Sequence, residues 1–367
     1  IVFVALAIIV GVNKSYAQLS QGITATRALP PLSCADNANF LHPVAGVPYI
    51  YQMDGTTGAE KADQWTWFAT KDPAFITNGA LNTASALTTA SGDLLNVSSN
   101  YNTASGTNSV EITWSPQVLA NTVYQGSAGQ PTFVVGYATG ENCADNIKVY
   151  EINPIMSFIV DIAAIDEKDA TLAWDTPAEE CVSPVVGATY SAGKLDMNYG
   201  TDTIYFEIVA ANFVKNFKPT FRLISGLSGS QSAEIGLATS LANAKAGTFV
   251  IGGTTTLAVG ADWATGIAFD AVDPAQVASG VSLYARVVIN NNTYESLDAQ
   301  DFVLAVDAVD DSGQWDMEDD DCGATPSNEA DRVDQAIQTI NPRPTIVGAN
   351  VPDTNLAAPN DIVSKNP

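Results

Sequence analysis

Apolar and polar positions alternate through much of this chain. In Val110-Glu111-Ile112-Thr113-Trp114, positions 110, 112 and 114 are apolar and the two between them polar. Trp65-Thr66-Trp67-Phe68 sets one polar residue between two tryptophans, and Val47-Pro48-Tyr49-Ile50-Tyr51 is a short β-prone run with an early proline. Phe133-Val134-Val135-Gly136-Tyr137 and Ile147-Lys148-Val149-Tyr150 follow, with Gly140-Glu141-Asn142 between them. A period of two, enriched in β-branched and aromatic residues, predicts strands with one buried face. Residues 78–109 are rich in Asn, Ser, Thr, Ala and Gly, which predicts loops with weak strands around Leu94, Leu95 and Val97.

The second half repeats this grammar. Phe158, Val160 and Ile162 alternate, and Ile204-Tyr205-Phe206-Glu207-Ile208-Val209 reads as a strong strand. Phe221-Arg222-Leu223-Ile224 and Thr248-Phe249-Val250-Ile251 are further strand candidates. The cleanest alternation is Val281, Leu283, Ala285, Val287 and Ile289; Asn290-Asn291-Asn292 then turns the chain toward Phe302-Val303-Leu304-Ala305-Val306. A helical pattern occurs only over 233–245 and 328–340. Many short strands broken by Gly-, Asn- and Pro-rich turns predict an all-β protein of tandem Ig-like/PKD-like β-sandwich domains.

Length sharpens the division. At about 150 residues per domain, 367 residues predict two or three. The expected layout is a first domain over 34–153, a larger second domain over 154–341, and a break at Asn153-Pro154. Residues 18–33 read as an extended lead-in ending near Pro30-Pro31, and 342–367, with Pro342, Pro344, Pro352, Pro359 and Pro367, as a linker or tail. Residues 1–17 begin with an uncharged apolar run and end in Ser15-Tyr16-Ala17, the signature of a secretory signal peptide whose start is truncated. The run is shorter than the ~20 residues a membrane span needs, so no stable span is expected in the mature chain.

Charge excludes several partners. Forty acidic against 15 basic residues give a net charge of -25, which opposes nucleic-acid phosphates and anionic lipid headgroups. One histidine, His42, cannot build a His-based metal centre. Cys34, Cys143, Cys181 and Cys322 contain no CxxC, and with one histidine they suit exported disulfides better than zinc. Three pairings are open; Cys34–Cys143 with Cys181–Cys322 would brace each domain, and four free thiols is the other reading.

The run of Pro48-Tyr49-Ile50-Tyr51, Trp65-Thr66-Trp67, Val110-Glu111-Ile112-Thr113-Trp114, Phe133-Val134-Val135 and Cys143-Ala144-Asp145-Asn146-Ile147 resembles the PKD-like/Ig-like repeats of large secreted surface proteins of Bacteroidota. The resemblance covers about residues 34–153 closely and 154–345 loosely. It implies extracellular display, adhesion or fibre formation, and it brings no catalytic residues.

Candidate chemistry centres on acids. Asp307, Asp310, Asp311, Asp316, Glu318, Asp319, Asp320 and Asp321 form the densest charge cluster, just before Cys322. Of these, Asp310, Asp311, Asp316, Glu318, Asp319 and Asp320 are the candidate calcium ligands, because Ca²⁺ takes six to eight oxygen donors; a solvated acidic loop is the alternative. The spacing lacks the central glycine of an EF-hand. No catalytic residues are assigned. His42 has no recognisable Ser or Cys partner, Gly226-Leu227-Ser228-Gly229-Ser230 fails the nucleophile-elbow spacing, and Gly252-Gly253 lacks the Gly-Lys-Ser/Thr of a phosphate loop. Trp65, Trp67 and Trp114 are expected in the core, while Trp263 and Trp315 lie in loops. Asp202-Thr203-Ile204 is similar to the short O-glycosylation signal of Bacteroidota.

The expectation is therefore a secreted, disulfide-braced structural or adhesive protein of the cell surface or extracellular matrix. Its expected partners are itself, as a homopolymer, or other surface proteins and glycans, with calcium the only candidate cofactor. It is not expected to be an enzyme. The alternative is a glycan- or protein-binding module of a larger adhesin, braced by calcium.

Overall fold

The structure is a computed structural model that describes residues 40–53, 64–122, 130–140, 145–155, 158–192, 194–249, 254–257, 259, 269–270, 280–313, 315–316 and 334–344. The signal segment, the lead-in, the tail and the cysteines Cys34, Cys143 and Cys322 lie outside them.

Among the described residues, eight strands occupy the first part: β1 (Pro48–Gln52), β2 (Gln64–Thr70), the two-residue β3 (Ile76–Thr77) and β4 (Ala80–Leu81), β5 (Leu94–Val97), β6 (Ser109–Trp114), β7 (Phe133–Thr139) and β8 (Asn146–Glu151). They form two three-stranded sheets, β1-β6-β5 and β2-β7-β8, with a small β3-β4 hairpin beside them. All of these ladders are antiparallel. In Ig nomenclature the sheets read B-E-D and C-F-G. The alternation in the sequence becomes alternation of burial. Tyr49 and Tyr51 of β1 point inward, opposite Ile112 and Val110 of β6, and their neighbours point outward. Trp67 sits on β2, the strand where Ig sandwiches bury a tryptophan, and is fully enclosed with Trp114. The helix α1 (Pro116–Ala120) turns the chain from β6 toward β7; Ser115 caps it by accepting from the Val118 N–H, and Pro116 opens it.

The second sandwich is larger. Its strands are β9 (Ile159–Ile165), β10 (Ala178–Cys181), β11 (Gly187–Ser191), β12 (Lys194–Asn198), β13 (Thr201–Ala211), β14 (Asn216–Ser225), β15 (Ser232–Ala238), β16 (Thr255–Leu257), β17 (Phe269–Asp270), β18 (Val281–Asn290), β19 (Gln300–Asp310) and β20 (Asp334–Asn341). One sheet runs β16-β15-β18-β13-β9 and the other β10-β20-β19-β14-β17. The first contains the A-B-E-D order as β9-β13-β18-β15, and the second contains C-F-G as β14-β19-β20. The fold is therefore all-β and Ig-like in both parts. The ladder between β10 and β20 is parallel; the others are antiparallel. The sheets enclose Phe206, Phe217, Leu223, Leu283, Val287, Phe302 and Leu304.

Both helical expectations are corrected. Residues 232–238 form β15, with Ala233, Ile235 and Leu237 turned into the core, and only Leu241–Ala246 is helical (α2). Pairing to β18 on one side and β16 on the other overrides the local helical pattern. Residues 334–341 are β20, not a helix. Ala336, Gln338 and Ile340 share its buried face, and the glutamine at a core position hides the period of two.

A sealed junction links the two sandwiches. Asn153 N–H donates to the Leu41 carbonyl at 2.8 Å and Ile155 N–H to the Pro43 carbonyl at 3.0 Å. His42 Nδ1 lies 3.0 Å from the Asn153 carbonyl, a turn role for this lone histidine. Val44, from ahead of β1, packs against Ile159 of β9 and Ala211 of β13.

Candidate functional site

The described members of the acidic cluster separate into different environments. Asp310, at the end of β19, is buried; one carboxylate oxygen accepts the Val214 N–H at 2.9 Å, and the other accepts the Ser312 N–H and hydroxyl at 2.9 and 2.6 Å. Those bonds tie the turn after β19 to the start of β14. Asp311 faces solvent and pairs with Lys215 at 3.3 Å. Asp316 is fully enclosed and accepts the Ala308 N–H at 2.7 Å. Burial, then a hydrogen bond to Asp307 and the charge of that carboxylate, hold the Asp316 carboxyl well above the usual range. Glu318, Asp319 and Asp320 lie outside the described residues. Among the described residues, no three His, Cys, Asp or Glu side chains are grouped to hold a metal ion.

Other carboxylates bind structure together. Asp202, the first residue of the glycosylation-like triplet, is buried and accepts the Ser183 N–H at 2.5 Å and the Asn291 amide at 2.6 Å. Glu207 is buried on β13 under the hydroxyls of Thr171 at 2.7 Å and Ser282 at 2.8 Å. Cys181 is exposed at the end of β10. Trp65, Trp67 and Trp114 are core residues, as their strand positions imply. Trp315 bridges back to Val309 of β19; Trp263 and Gly252-Gly253 lie outside the described residues.

Among the described residues, an exposed apolar face lies where the sequence analysis placed no strand. The two-stranded sheet of β11 and β12 pairs Ala188 with Met197 and Tyr190 with Leu195. Cross-strand partners share a face, so one face of the ribbon carries those four apolar side chains. The other carries Gly187, Thr189, Ser191, Lys194, Asp196 and Asn198. Tyr190 is 57% exposed, and Val186, just ahead of β11, is 64% exposed. The signal was available: Ala188 and Tyr190, then Leu195 and Met197, alternate with polar residues across a Gly-containing turn.

No protein-family model and no curated protein matches the chain. Among solved structures it is similar to the N-terminal domain of PorA, at 9% identity and a TM-score of 0.23 over 49% of this chain and 97% of that one. It is similar to CfaE, the adhesive subunit of the CFA/I fimbria of enterotoxigenic Escherichia coli, at 12% identity and a TM-score of 0.21, covering 87% and 91%. The full-length major pilin SpaD of Corynebacterium diphtheriae matches at 11% identity and a TM-score of 0.19, covering 86% and 63%. The fold assignment rests on the strand order given above. No helix among the described residues is long and apolar enough to cross a membrane.

What this geometry offers is surface and stiffness. Buried Asp202, Glu207 and Asp310 accept from backbone N–H, amide and hydroxyl donors, while the exposed ribbon presents an apolar face.

Proposed function

We propose that this chain is a secreted structural or adhesive component of a cell surface or extracellular matrix, and that it assembles with copies of itself. The observation that carries the reading is the sealed junction. Backbone pairing of 41–43 with 153–155, together with the packing of Val44 on Ile159 and Ala211, joins two Ig-like sandwiches without a free linker. A tandem of this kind spaces and presents surface. In this reading the domains divide at Asn153-Pro154, within the Bacteroidota-like surface proteins named above. The acidic stretch through Glu318, Asp319 and Asp320 takes calcium, and Cys34–Cys143 with Cys181–Cys322 are the disulfides.

Negative-stain electron microscopy beside a sizing column tests the proposal. Fibres or discrete oligomers are expected. Solitary two-lobed particles retained on polysaccharide would favour the display-module alternative, and turnover of a substrate would overturn both. Calorimetry in millimolar Ca²⁺ tests the metal, with neither heat nor a melting shift rejecting it.

A further inference from the structure

We propose that residues 345–351 of this same chain, Thr-Ile-Val-Gly-Ala-Asn-Val, dock in extended form along the apolar face of the β11–β12 ribbon and cover it. The inference goes beyond the assembling role proposed above and does not depend on it.

The ribbon supplies the first observation. Tyr190 lies opposite Leu195 and Ala188 opposite Met197, so four apolar side chains make one stripe. Val185 and Val186, both exposed, stand just ahead of it. Other exposed apolar residues, such as Ile50, Ile76 and Ile224, sit on three separate strands, and single ones need no cover. A two-stranded ribbon is by itself marginally stable in water, and most residues of this one are exposed. An apolar segment laid along the stripe therefore stabilises both.

The second observation is where the chain is delivered. The Arg343 N–H donates to the Ser296 carbonyl at 2.9 Å, its Nε to the Glu295 carbonyl at 2.9 Å and its Nη2 to the Tyr199 carbonyl at 3.1 Å. Its guanidinium lies 5.1 Å from the centre of the Tyr199 ring. Tyr199 follows β12 directly, and Asn198, the last residue of β12, pairs with Gly187, the first of β11. Arg343 is thus fixed at the base of the ribbon. Pro342 and Pro344 flank it and favour an extended path. Residue 345 therefore starts beside the stripe. A five-residue strand measures about 17 Å, and seven extended residues reach about 23 Å, so 345–351 can run the length of the ribbon.

The third observation is chemical fit. Residues 345–351 carry no charge, and in an extended chain Val347, Ala349 and Val351 fall on one face. The stripe is uncharged too, while Lys194 and Asp196 lie on the other face of the ribbon. The tether selects this occupant. A joined segment acts at a local concentration of about a millimolar, so a small contact suffices. A second copy would bring a net charge of -25 against the same charge.

Hydrogen exchange of the 187–198 amides in the full chain, repeated over a range of protein concentrations, tests the contact. Wild-type protein is expected to protect the ribbon equally at every concentration. Val347→Asp, which sets a carboxylate against the stripe, is expected to speed exchange there at least about fivefold. Val363→Asp, further along the chain, is expected to change it by less than about twofold. Unchanged far-ultraviolet dichroism shows that both variants fold. Equal ribbon exchange in wild type and Val347→Asp would overturn the contact. Protection that Val347→Asp removes but that rises with concentration would assign the stripe to the same segment of a neighbouring copy, and would overturn docking within one chain. Fibres or oligomers in the microscope are read separately, so the failure of this contact leaves the assembling role standing.

Discussion

In the first sandwich the space between two three-stranded sheets is taken up largely by Tyr49, Tyr51, Trp65, Trp67 and Trp114. In the second, two five-stranded sheets close over a longer set dominated by Ile, Val, Leu, Ala and Phe. With few strands, each inward side chain must cover more area, and aromatic rings do so. They also bring polar atoms that need partners. Trp114 Nε1 donates to the Tyr51 hydroxyl at 3.0 Å, and that hydroxyl donates to the Phe40 carbonyl at 2.8 Å. The wider sandwich has enough aliphatic surface to admit whole polar side chains. Gln338 of β20 crosses between the layers and donates to the carbonyls of Ile165 at 2.7 Å and Tyr205 at 2.9 Å, on the facing sheet. The difference shows two ways to fix one strand order: by ring size in a small sandwich, and by buried amide and carboxylate ties in a large one.

Four substitutions break or sharpen that contrast. Trp114→Ala is expected to cost about 4 kcal/mol, because it empties the centre of the small core. Urea unfolding followed by circular dichroism should then resolve an early transition of the first sandwich ahead of the second. Gln338→Leu keeps volume but removes both cross-layer bonds, at a cost of about 2 kcal/mol read as a lower denaturation midpoint. Tyr51→Phe strands the Trp114 N–H and should cost about 1.5 kcal/mol, visible in the fluorescence-detected melt.

The smallest effect is one of pH. Burial, reinforced by the charges of Glu167 and Asp202, pushes the Glu180 carboxyl from its ordinary 4.5 to about 7. A raised carboxyl pKa means that the folded state holds the proton more tightly. The resulting stability is full below pH 4.5 and is lost as pH rises through about 7. Glu180→Gln should flatten the fall in melting temperature over that window, and an unchanged slope would assign it to other groups, such as Asp316.

The strand framework was largely legible. Tyr49 and Tyr51, Val110 to Trp114 and the long alternation from Val281 to Ile289 all lie in strands with the inward side chains expected of them. What escaped was set by partners distant in sequence. Residues 232–238 are a strand because β18 and β16 flank them, and 334–341 because β19 and β10 do, with Gln338 finding two carbonyls some 130 or more residues away. The acidic run reads as one cluster along the chain. In the fold Asp307 is buried on β19, the returning chain buries Asp316 against Ala308, Asp310 is a turn tie and Asp311 is left to Lys215. The ribbon at 187–198 escaped because its apolar face has no core to announce it.

The parallel ladder between β10 and β20 has a mechanical consequence. Ala178 to Cys181 lie beside Gln338 to Asn341 in the same direction. A pull that separates the start of β10 from the end of β20 draws the two strands toward opposite ends of that ladder. Its bonds are then loaded side by side in shear, where an antiparallel hairpin would unzip one pair at a time. The ladder at this edge of the second sandwich therefore resists a pull along its own strands better than an antiparallel hairpin of the same length would.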